Sequence, residues 1–248
     1  MRSTTFGSLL VCTAAFTASA AGQTPPAAPS VTRTVVASTR LPTVADAPVQ
    51  FRAVRVTLAS GASSRVSASN GFLYQLSGTT EVSVVGAEVK KVNPGEGLFI
   101  ARGNAATLKA AEGDSVFLHF LLASTADVDQ PLEAAPAVVQ ELYRTAAPVP
   151  ALKPGPYDLT LTRVTFPAQM PSNAPHHRSG AALYYILSGT GANTVGDKVE
   201  TRTPGTLIYE PFGLVHQWGN PGEVPLTFLA FNISPEGVAA VLPGAPHE

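Results

Sequence analysis

The chain has 248 residues, of which 45% are hydrophobic and only 13% are charged, and its formal net charge is -1. No long run of Lys and Arg occurs in it, so the sequence excludes the basic footprint with which proteins bind nucleic acid. The 21 glycines and 22 prolines stand between short apolar runs, which is typical of an all-β protein with many turns. The length is enough for two domains of about 100 residues each.

The N-terminal residues have the pattern of an export signal. Arg2 supplies the positive charge, an apolar stretch runs from Leu9 to Phe16, and Ala18-Ser19-Ala20 fits a small-x-small cleavage site. The stretch is too short to cross a bilayer. We therefore expect residues 1–20 to be a signal peptide and the mature protein to be periplasmic or extracellular, with no membrane insertion of the mature chain.

Two further expectations follow from the N-terminal region. Cys12 is the single cysteine and lies inside the predicted signal, so the mature protein would have no disulfide and no thiolate ligand. Residues 21–44, which begin with an Ala- and Pro-rich stretch, are expected to form an extended linker.

Four short segments recur along the chain at an offset of about 110 residues. The recurring pairs are Arg55–Leu58 with Arg163–Phe166, Leu73–Gly78 with Tyr184–Gly189, Pro94-Gly95 with Pro204-Gly205, and Val116–Phe120 with Thr227–Phe231. Colinear matches at this spacing indicate a duplicated domain, because the repeats of solenoids are much shorter. Each copy must close its sheet to hide the strand edges, so we expect two tandem jelly-roll β-barrels.

The repeat also predicts the domain boundaries. The N-terminal barrel is expected over residues 45–122 and the C-terminal barrel over residues 157–240. Residues 123–156, rich in Pro and Ala, are expected to connect them, with a short helix at Ala137–Arg144.

A motif of fixed spacing follows in the second copy. Pro204-Gly205 is followed by Pro211-x-Gly213, then by His216 and Asn220. The prolines and glycines turn the chain, and His216 begins a strand with its side chain directed into the barrel. This spacing resembles the second motif of the cupin superfamily. The resemblance covers about residues 45–235, so the chain is identified as a member of that superfamily, a secreted bicupin with two tandem cupin domains.

The first cupin motif is altered. It ordinarily supplies two His in an H-x-H arrangement and then a Glu, and counting back from Gly189 places His176, Arg178 and Ala182 at these positions. The resemblance therefore implies His176 and His216 as metal ligands. His177 would face outward by strand alternation, unless a bulge turns it inward as a third ligand.

The resemblance leaves three functions open. In the first, these histidines hold a single divalent transition metal, since imidazole binds Zn, Cu, Fe and Ni, and the protein is a dioxygenase- or isomerase-type enzyme. In the second, Arg178 repels a cation and the barrel binds a small anion or a sugar without metal. Glu210 lies nearby but not at a family ligand position. In the third, the barrels are structural and drive homo-oligomerisation.

Aromatic side chains complete the predicted ligand site. Tyr184 shares the inward parity of His176 and Arg178, and Trp218 shares that of His216. We expect Arg178, Tyr184 and Trp218 to bind a small-molecule ligand, because apolar walls with a few polar groups are typical of such sites. The alternative is that both aromatic residues are ordinary barrel core.

The first copy has lost the ligand positions. The equivalent residues there are Arg65, Ser67, Gly71 and Ala106, so this barrel is expected to hold no metal. His119 is expected to be a core residue. The sequence has no Gly-rich phosphate loop and no H-E-x-x-H pattern, and it implies neither a nucleotide nor haem.

Overall fold

The structure, a computed structural model, describes residues 30–44, 48–66, 69–130 and 133–244. These residues form 17 β-strands and no helix, which confirms the prediction of an all-β fold. Among them there is accordingly no helix that is long and apolar enough to cross a membrane. The predicted signal peptide with Cys12, residues 21–29 of the predicted linker, and Ser67 lie outside the described residues.

The second to eighth strands of the chain form one large antiparallel sheet, which we call the first half of the structure; the first strand belongs with the later strands. The strands of this sheet are β2 (Val49–Leu58), β3 (Ser63–Val66), β4 (Asn70–Val84), β5 (Lys90–Val92), β6 (Gly97–Ile100), β7 (Ala106–Ser124) and β8 (Val138–Arg144). The order across the sheet is β5-β4-β7-β2-β8, with β3 paired to β7 and β6 paired to β4.

The second half contains three sheets. Its strands are β1 (Thr32–Leu41), β9 (Tyr157–Phe166), β10 (His176–Arg178), β11 (Ala181–Ser188), β12 (Gly191–Val195), β13 (Lys198–Arg202), β14 (Leu207–Glu210), β15 (Gln217–Gly219), β16 (Leu226–Pro235) and β17 (Val241–Pro243). The largest sheet has the order β1-β9-β16-β11-β14, and the two smaller sheets are β13-β12-β15 and β10-β17.

The N-terminal strand differs from the expected linker. Residues Thr32–Leu41 form β1, which pairs antiparallel with β9 from Thr32 opposite Thr165 to Leu41 opposite Tyr157. The segment is rich in Val and Thr, whose branched side chains favour extended backbone. It also covers a strand edge that would otherwise leave a row of peptide groups unpaired. The N-terminal segment is therefore an integral part of the second half.

The expected connector also differs from the structure. Strand β7 extends to Ser124, and Val138–Arg144, where a short helix was expected, is strand β8. β8 pairs antiparallel with β2, so it extends the sheet of the first half. Val138 and Val139 favour this outcome because β-branched residues lose side-chain freedom in a helix. Pairing with β2 also provides partners for the backbone groups along β8.

Side-chain alternation gives the main strands of the second half two different faces. Along β9, Val164 and Phe166 pack in an apolar cluster inside this half, whereas Leu159 and Leu161 pack on the opposite face. That opposite face contributes to what we call the shared core, a cluster of buried side chains from both halves. Its members include Phe51, Phe72, Phe120, Leu159, Leu161, Leu183, Leu229 and Phe231.

Aromatic contacts join the two halves at the centre of the shared core. The ring of Phe231 lies 5.1 Å from that of Phe51 and 5.4 Å from that of Phe72, both edge to face. Such pairs contribute about 0.5–1.5 kcal/mol each beyond the burial of their area. The first half therefore packs against the outer face of the second-half sheet. The inner face of that sheet is left free to form a site.

The interior of the first half is mostly apolar, with a few buried polar side chains. It contains Val54, Phe117 and Leu121 among other aliphatic side chains. His119 is buried there, as expected, but its Nδ1 atom lies 2.7 Å from Oε1 of Glu133, a buried carboxylate that the sequence did not indicate. The interior thus contains a buried imidazole–carboxylate hydrogen bond.

Replacing His119 with Leu leaves the Glu133 carboxylate buried without its donor. We expect the free energy of unfolding to fall by about 3–5 kcal/mol, since removing one partner of a buried pair leaves the other buried without a partner. The double variant His119→Leu/Glu133→Leu removes both polar groups and should recover at least half of that loss. Urea denaturation followed by circular dichroism measures both changes, and equal losses in the two variants would contradict the pairing.

Candidate functional site

The register of four strands places a polar row on the inner face of the second half. Thr160 on β9 lies opposite Asn232 on β16, which lies opposite Ala182 on β11. Ala182 in turn lies opposite Glu210 on β14. Residues directly opposite in an antiparallel sheet project on the same side, so the polar groups of this row face one interior.

Two histidines lie beside this row. The backbones of His176 and His216 bond to each other, and their rings lie 4.2 Å apart, edge to face. Nδ1 of His176 lies 3.0 Å from the carbonyl oxygen of Ala174, and Nδ1 of His216 lies 2.8 Å from that of Leu214. Since a carbonyl only accepts, each Nδ1 carries a proton, and Nε2 is the ring nitrogen left to face another group.

Glu210 is the centre of the polar contacts. Its carboxylate is buried and accepts a hydrogen bond of 2.9 Å from Nε of Arg178 and one of 3.0 Å from Nε1 of Trp218. Nε2 of His216 lies 2.9 Å from the same carboxylate, but off the direction of a good hydrogen bond. Arg178 also donates from Nη1 to Asn232 Oδ1 at 3.2 Å. A buried Arg–Glu ion pair therefore organises the site.

The small side chain at position 182 fits this arrangement. Ala182 is fully buried and lies directly across from Glu210 on the paired strand. A carboxylate at both positions would place like charges opposite each other, which is destabilising. The site therefore has its carboxylate on β14, one strand away from the position that the cupin pattern predicts.

The ion pair and burial determine the charges in the site. Burial raises the pKa of Glu210, but the charge of Arg178, the close contact with His216 and the hydrogen bond from Trp218 outweigh this, so that its pKa is lowered overall. Burial lowers the pKa of His176 to about 4, with further lowering by the charges of His216 and Arg178. At neutral pH, Glu210 is an anion, His176 is neutral, and Arg178 is compensated by Glu210.

A cavity of about 110 Å³ opens beside these groups. Its lining includes Arg33, Thr160, Thr162, His176, Arg178, Tyr184, Trp218 and Asn232. The guanidinium carbon of Arg178 lies 4.9 Å from the centre of the Tyr184 ring. Tyr184 is fully buried, and its hydroxyl has no hydrogen-bond partner among the described residues. A buried hydroxyl without a partner is costly, so a hydrogen-bond partner for the Tyr184 hydroxyl is expected inside the cavity.

The residues of this site do not fit a resident transition metal. Within the described ranges there is no group of three or more His, Cys, Asp and Glu side chains placed to hold an ion. Glu210 is already engaged by Arg178 and Trp218. Because Arg178 already compensates the charge of this carboxylate, Glu210 adds little attraction for a metal cation. Two imidazoles alone leave most of a coordination sphere unfilled by protein.

The structure brings together five of the six residues predicted for the site. His176, Arg178, Tyr184 and Trp218 line the cavity, and His216 contacts the ring of His176. The sixth, His177, does not join them as a third ligand. It pairs with Leu242 across β10 and β17, and its Nδ1 lies 2.9 Å from the carbonyl oxygen of Gly244. No bulge occurs in this short strand pair, so alternation keeps His177 away from the cavity.

Trp218 is part of the barrel core and also lines the cavity. It is buried in the inner apolar cluster, with its ring 5.2 Å from that of Phe228, and it also donates to Glu210. Asn232, Thr160 and Arg33 were missed as cavity residues. Side-chain alternation along β16 and β9 would place Asn232 and Thr160 on the inner face once the two strands are aligned. Nothing in the sequence indicates that Arg33 pairs with the second half.

One segment of the chain matches a family model. Residues 162–232 match the model described as the cupin domain. The matched region begins in β9 and ends in β16, and it contains His176, Arg178, Glu210 and His216.

Solved structures with the same architecture come from oxalate decarboxylase of Bacillus subtilis. Its structure at pH 4.6 has a TM-score of 0.57 and 15% sequence identity, over 83% of this chain and 73% of that chain. A variant of the enzyme has a TM-score of 0.58 at 15% identity, over 83% of this chain and 74% of that chain. The Bacillus subtilis enzyme has Mn(II) centres. At this identity the similarity concerns the fold, and it confirms the all-β cupin fold.

A short stretch resembles a curated protein. Over 54 residues the chain is 41% identical to mannose-1-phosphate guanylyltransferase 2 of Escherichia coli O157:H7. This stretch is 22% of the present chain and covers only 11% of that protein, so the match spans about a tenth of the relative's length.

The lowered pKa of His176 predicts a pH-dependent stability. The ordinary pKa of 6.5 applies to the unfolded chain, whereas the folded value is about 4, so between these values the unfolded chain binds a proton that the folded chain does not. The free energy of unfolding should therefore fall as the pH falls. From pH 7.5 to pH 5 we expect His176 to account for a loss of about 2 kcal/mol.

Urea denaturation across this pH range, with wild type and His176→Gln compared, measures that contribution. The pH range ends above the ordinary pKa of Glu210, so its carboxylate does not contribute to the change. The variant should lose less stability than wild type on acidification. Parallel curves for the two proteins would show that His176 titrates alike in both states.

Proposed function

We propose that this protein is an exported bicupin whose second domain binds a small anionic molecule without a resident metal. The observation that carries the proposal is the cavity of the second half, where the unpartnered hydroxyl of Tyr184 and the guanidinium of Arg178 lie together. The sequence repeat supports the assignment of two domains. The apolar interior of the first half supports a degenerate first domain, and the N-terminal pattern supports export.

The size of the cavity limits the ligand. A cavity of about 110 Å³ is smaller than the ~150 Å³ in which benzene binds a protein interior. Pockets for larger ligands occupy about 300–1,000 Å³. The ligand is therefore a molecule of about six non-hydrogen atoms or fewer. A sugar, which the sequence left open, is too large for this cavity as it stands.

The donors favour a carboxylate. A guanidinium has five N–H donors, and the contacts of Arg178 with Glu210 and Asn232 use two of them. The Tyr184 hydroxyl provides another donor. Planar carboxylates are the groups that a guanidinium binds best, through parallel charge-assisted hydrogen bonds. A small monocarboxylate or dicarboxylate therefore matches both the volume and the donors.

One observation favours a second candidate, a metal-dependent enzyme of the dioxygenase or isomerase type. Nδ1 of both His176 and His216 is held by a backbone carbonyl, which is how proteins orient imidazoles that bind metal through Nε2. The missing third ligand and the engagement of Glu210 by Arg178 weigh against it. Metal analysis separates the two candidates.

Removing the Tyr184 hydroxyl tests the binding site. We expect wild type to bind acetate or glycolate in isothermal titration calorimetry, and Tyr184→Phe to bind the same ligand about tenfold to a hundredfold more weakly, as for a lost hydrogen bond to a charged group. Tyr209→Phe is the matched control. Its hydroxyl is also buried without a partner, but Tyr209 packs against the shared core. No binding by wild type, or equal losses in both variants, would refute the proposal.

Metal content tests the absence of a resident ion. Protein purified after growth with Mn, Fe, Co, Ni, Cu and Zn in turn should contain less than about a tenth of an equivalent of each metal, because two imidazoles beside a cation form a poor site. Mass spectrometry of the digested protein measures this. About one equivalent in wild type that is lost in His216→Ala would replace the first candidate with the second.

The proposal also covers partners and assembly. The expected partner is a small molecule rather than nucleic acid, in line with the absence of a long basic run. If the protein instead has the purely structural role that the sequence left open, it should form a homo-oligomer and bind no ligand. Light scattering, together with the titration above, distinguishes a ligand-binding protein from a purely structural oligomer.

A further inference from the structure

We infer that Arg33, on the N-terminal strand β1, makes the cavity of the second half selective for anions. This inference rests on the proposed function, because it concerns the ligand of that same cavity. It assigns a binding role to a residue outside the segment that matches the cupin domain, residues 162–232.

The register of β1 places Arg33 at the cavity. Arg33 lies directly opposite Val164 of β9, and both residues line the cavity. Directly opposite residues in an antiparallel pair share one face of the sheet, so the position of Arg33 follows from the pairing. Two residues earlier, Val31 packs against the inner apolar cluster, which anchors the start of the strand.

The charge of Arg33 is not compensated by a neighbour. Arg33 takes part in none of the ion pairs within 4.0 Å formed in the part of the chain that the structure describes. Arg178, by contrast, is paired with Glu210. No Asp or Glu among the described residues lines the cavity. The excess positive charge of the cavity therefore comes from Arg33.

The exposure of Arg33 indicates how it acts. The residue is exposed, whereas Arg178 and Tyr184 are buried. An exposed charge at the opening of a cavity with low-dielectric walls attracts ions of the opposite sign and discourages ions of the same sign. Arg178 and Tyr184 then provide the close hydrogen bonds, and Arg33 provides the preference for an anion over a neutral molecule of the same shape.

The experiment compares an anion with a neutral analogue. Wild type, Arg33→Ala, Arg33→Lys and Arg33→Glu are titrated with acetate and with acetamide at low and at moderate salt. We expect Arg33→Ala to bind acetate about threefold to tenfold more weakly than wild type, which is the size of an exposed charge interaction. Arg33→Glu should bind it more weakly still, Arg33→Lys should bind it as wild type does, and the affinity for acetamide should not change.

A control variant removes the same charge elsewhere. Arg65→Ala deletes an exposed arginine on β3 of the first half and should leave the acetate affinity unchanged. The loss in Arg33→Ala should also shrink as salt rises, because exposed charges are screened. If wild type binds acetate and Arg33→Ala binds it equally well, the inference is wrong while the proposed function stands. If wild type binds no small carboxylate, the proposed function itself fails.

Discussion

The buried ion pair between Arg178 and Glu210 is the interaction on which the site depends. Removing two charges from water costs several kcal/mol for each, and their attraction offsets this only when the remaining polar groups also have partners. Here Trp218 donates to the carboxylate and Asn232 accepts from the guanidinium. The pair therefore persists inside the protein, engages the carboxylate that could otherwise bind a metal, and holds a guanidinium with free donors against the cavity.

The same strands serve the site and the stability of the molecule because of side-chain alternation. On β16, Asn232 faces the cavity, while its neighbour Phe231 packs between the two halves. Shifting the register by one residue would exchange these two faces, so the shared core also fixes which side chains reach the ligand. The first half therefore matters to the site as a support, although its own interior is mostly apolar.

The sequence predicted the parts of the site that depend on local rules. His176 and Arg178 follow from the resemblance to the first cupin motif, Tyr184 follows from alternation along its strand, and His216 follows from a motif of fixed spacing. The role of Glu210 depends on the pairing of β11 with β14, which the sequence does not state. Strand β8 was likewise missed, because pairing with β2 overrides a weak local preference for helix.

Strand β1 was the largest departure from the sequence-based expectation. Its pairing with β9 both covers a strand edge and places Arg33 at the cavity. Without it, β9 would be an edge strand with exposed peptide groups, which proteins avoid. The pairing that covers this edge also sets the register, and the register places Arg33 beside Val164 at the cavity. Edge protection and the proposed ligand selectivity thus depend on the same backbone hydrogen bonds. A sequence change that shifts β1 by one residue would keep the edge covered while turning Arg33 away from the cavity.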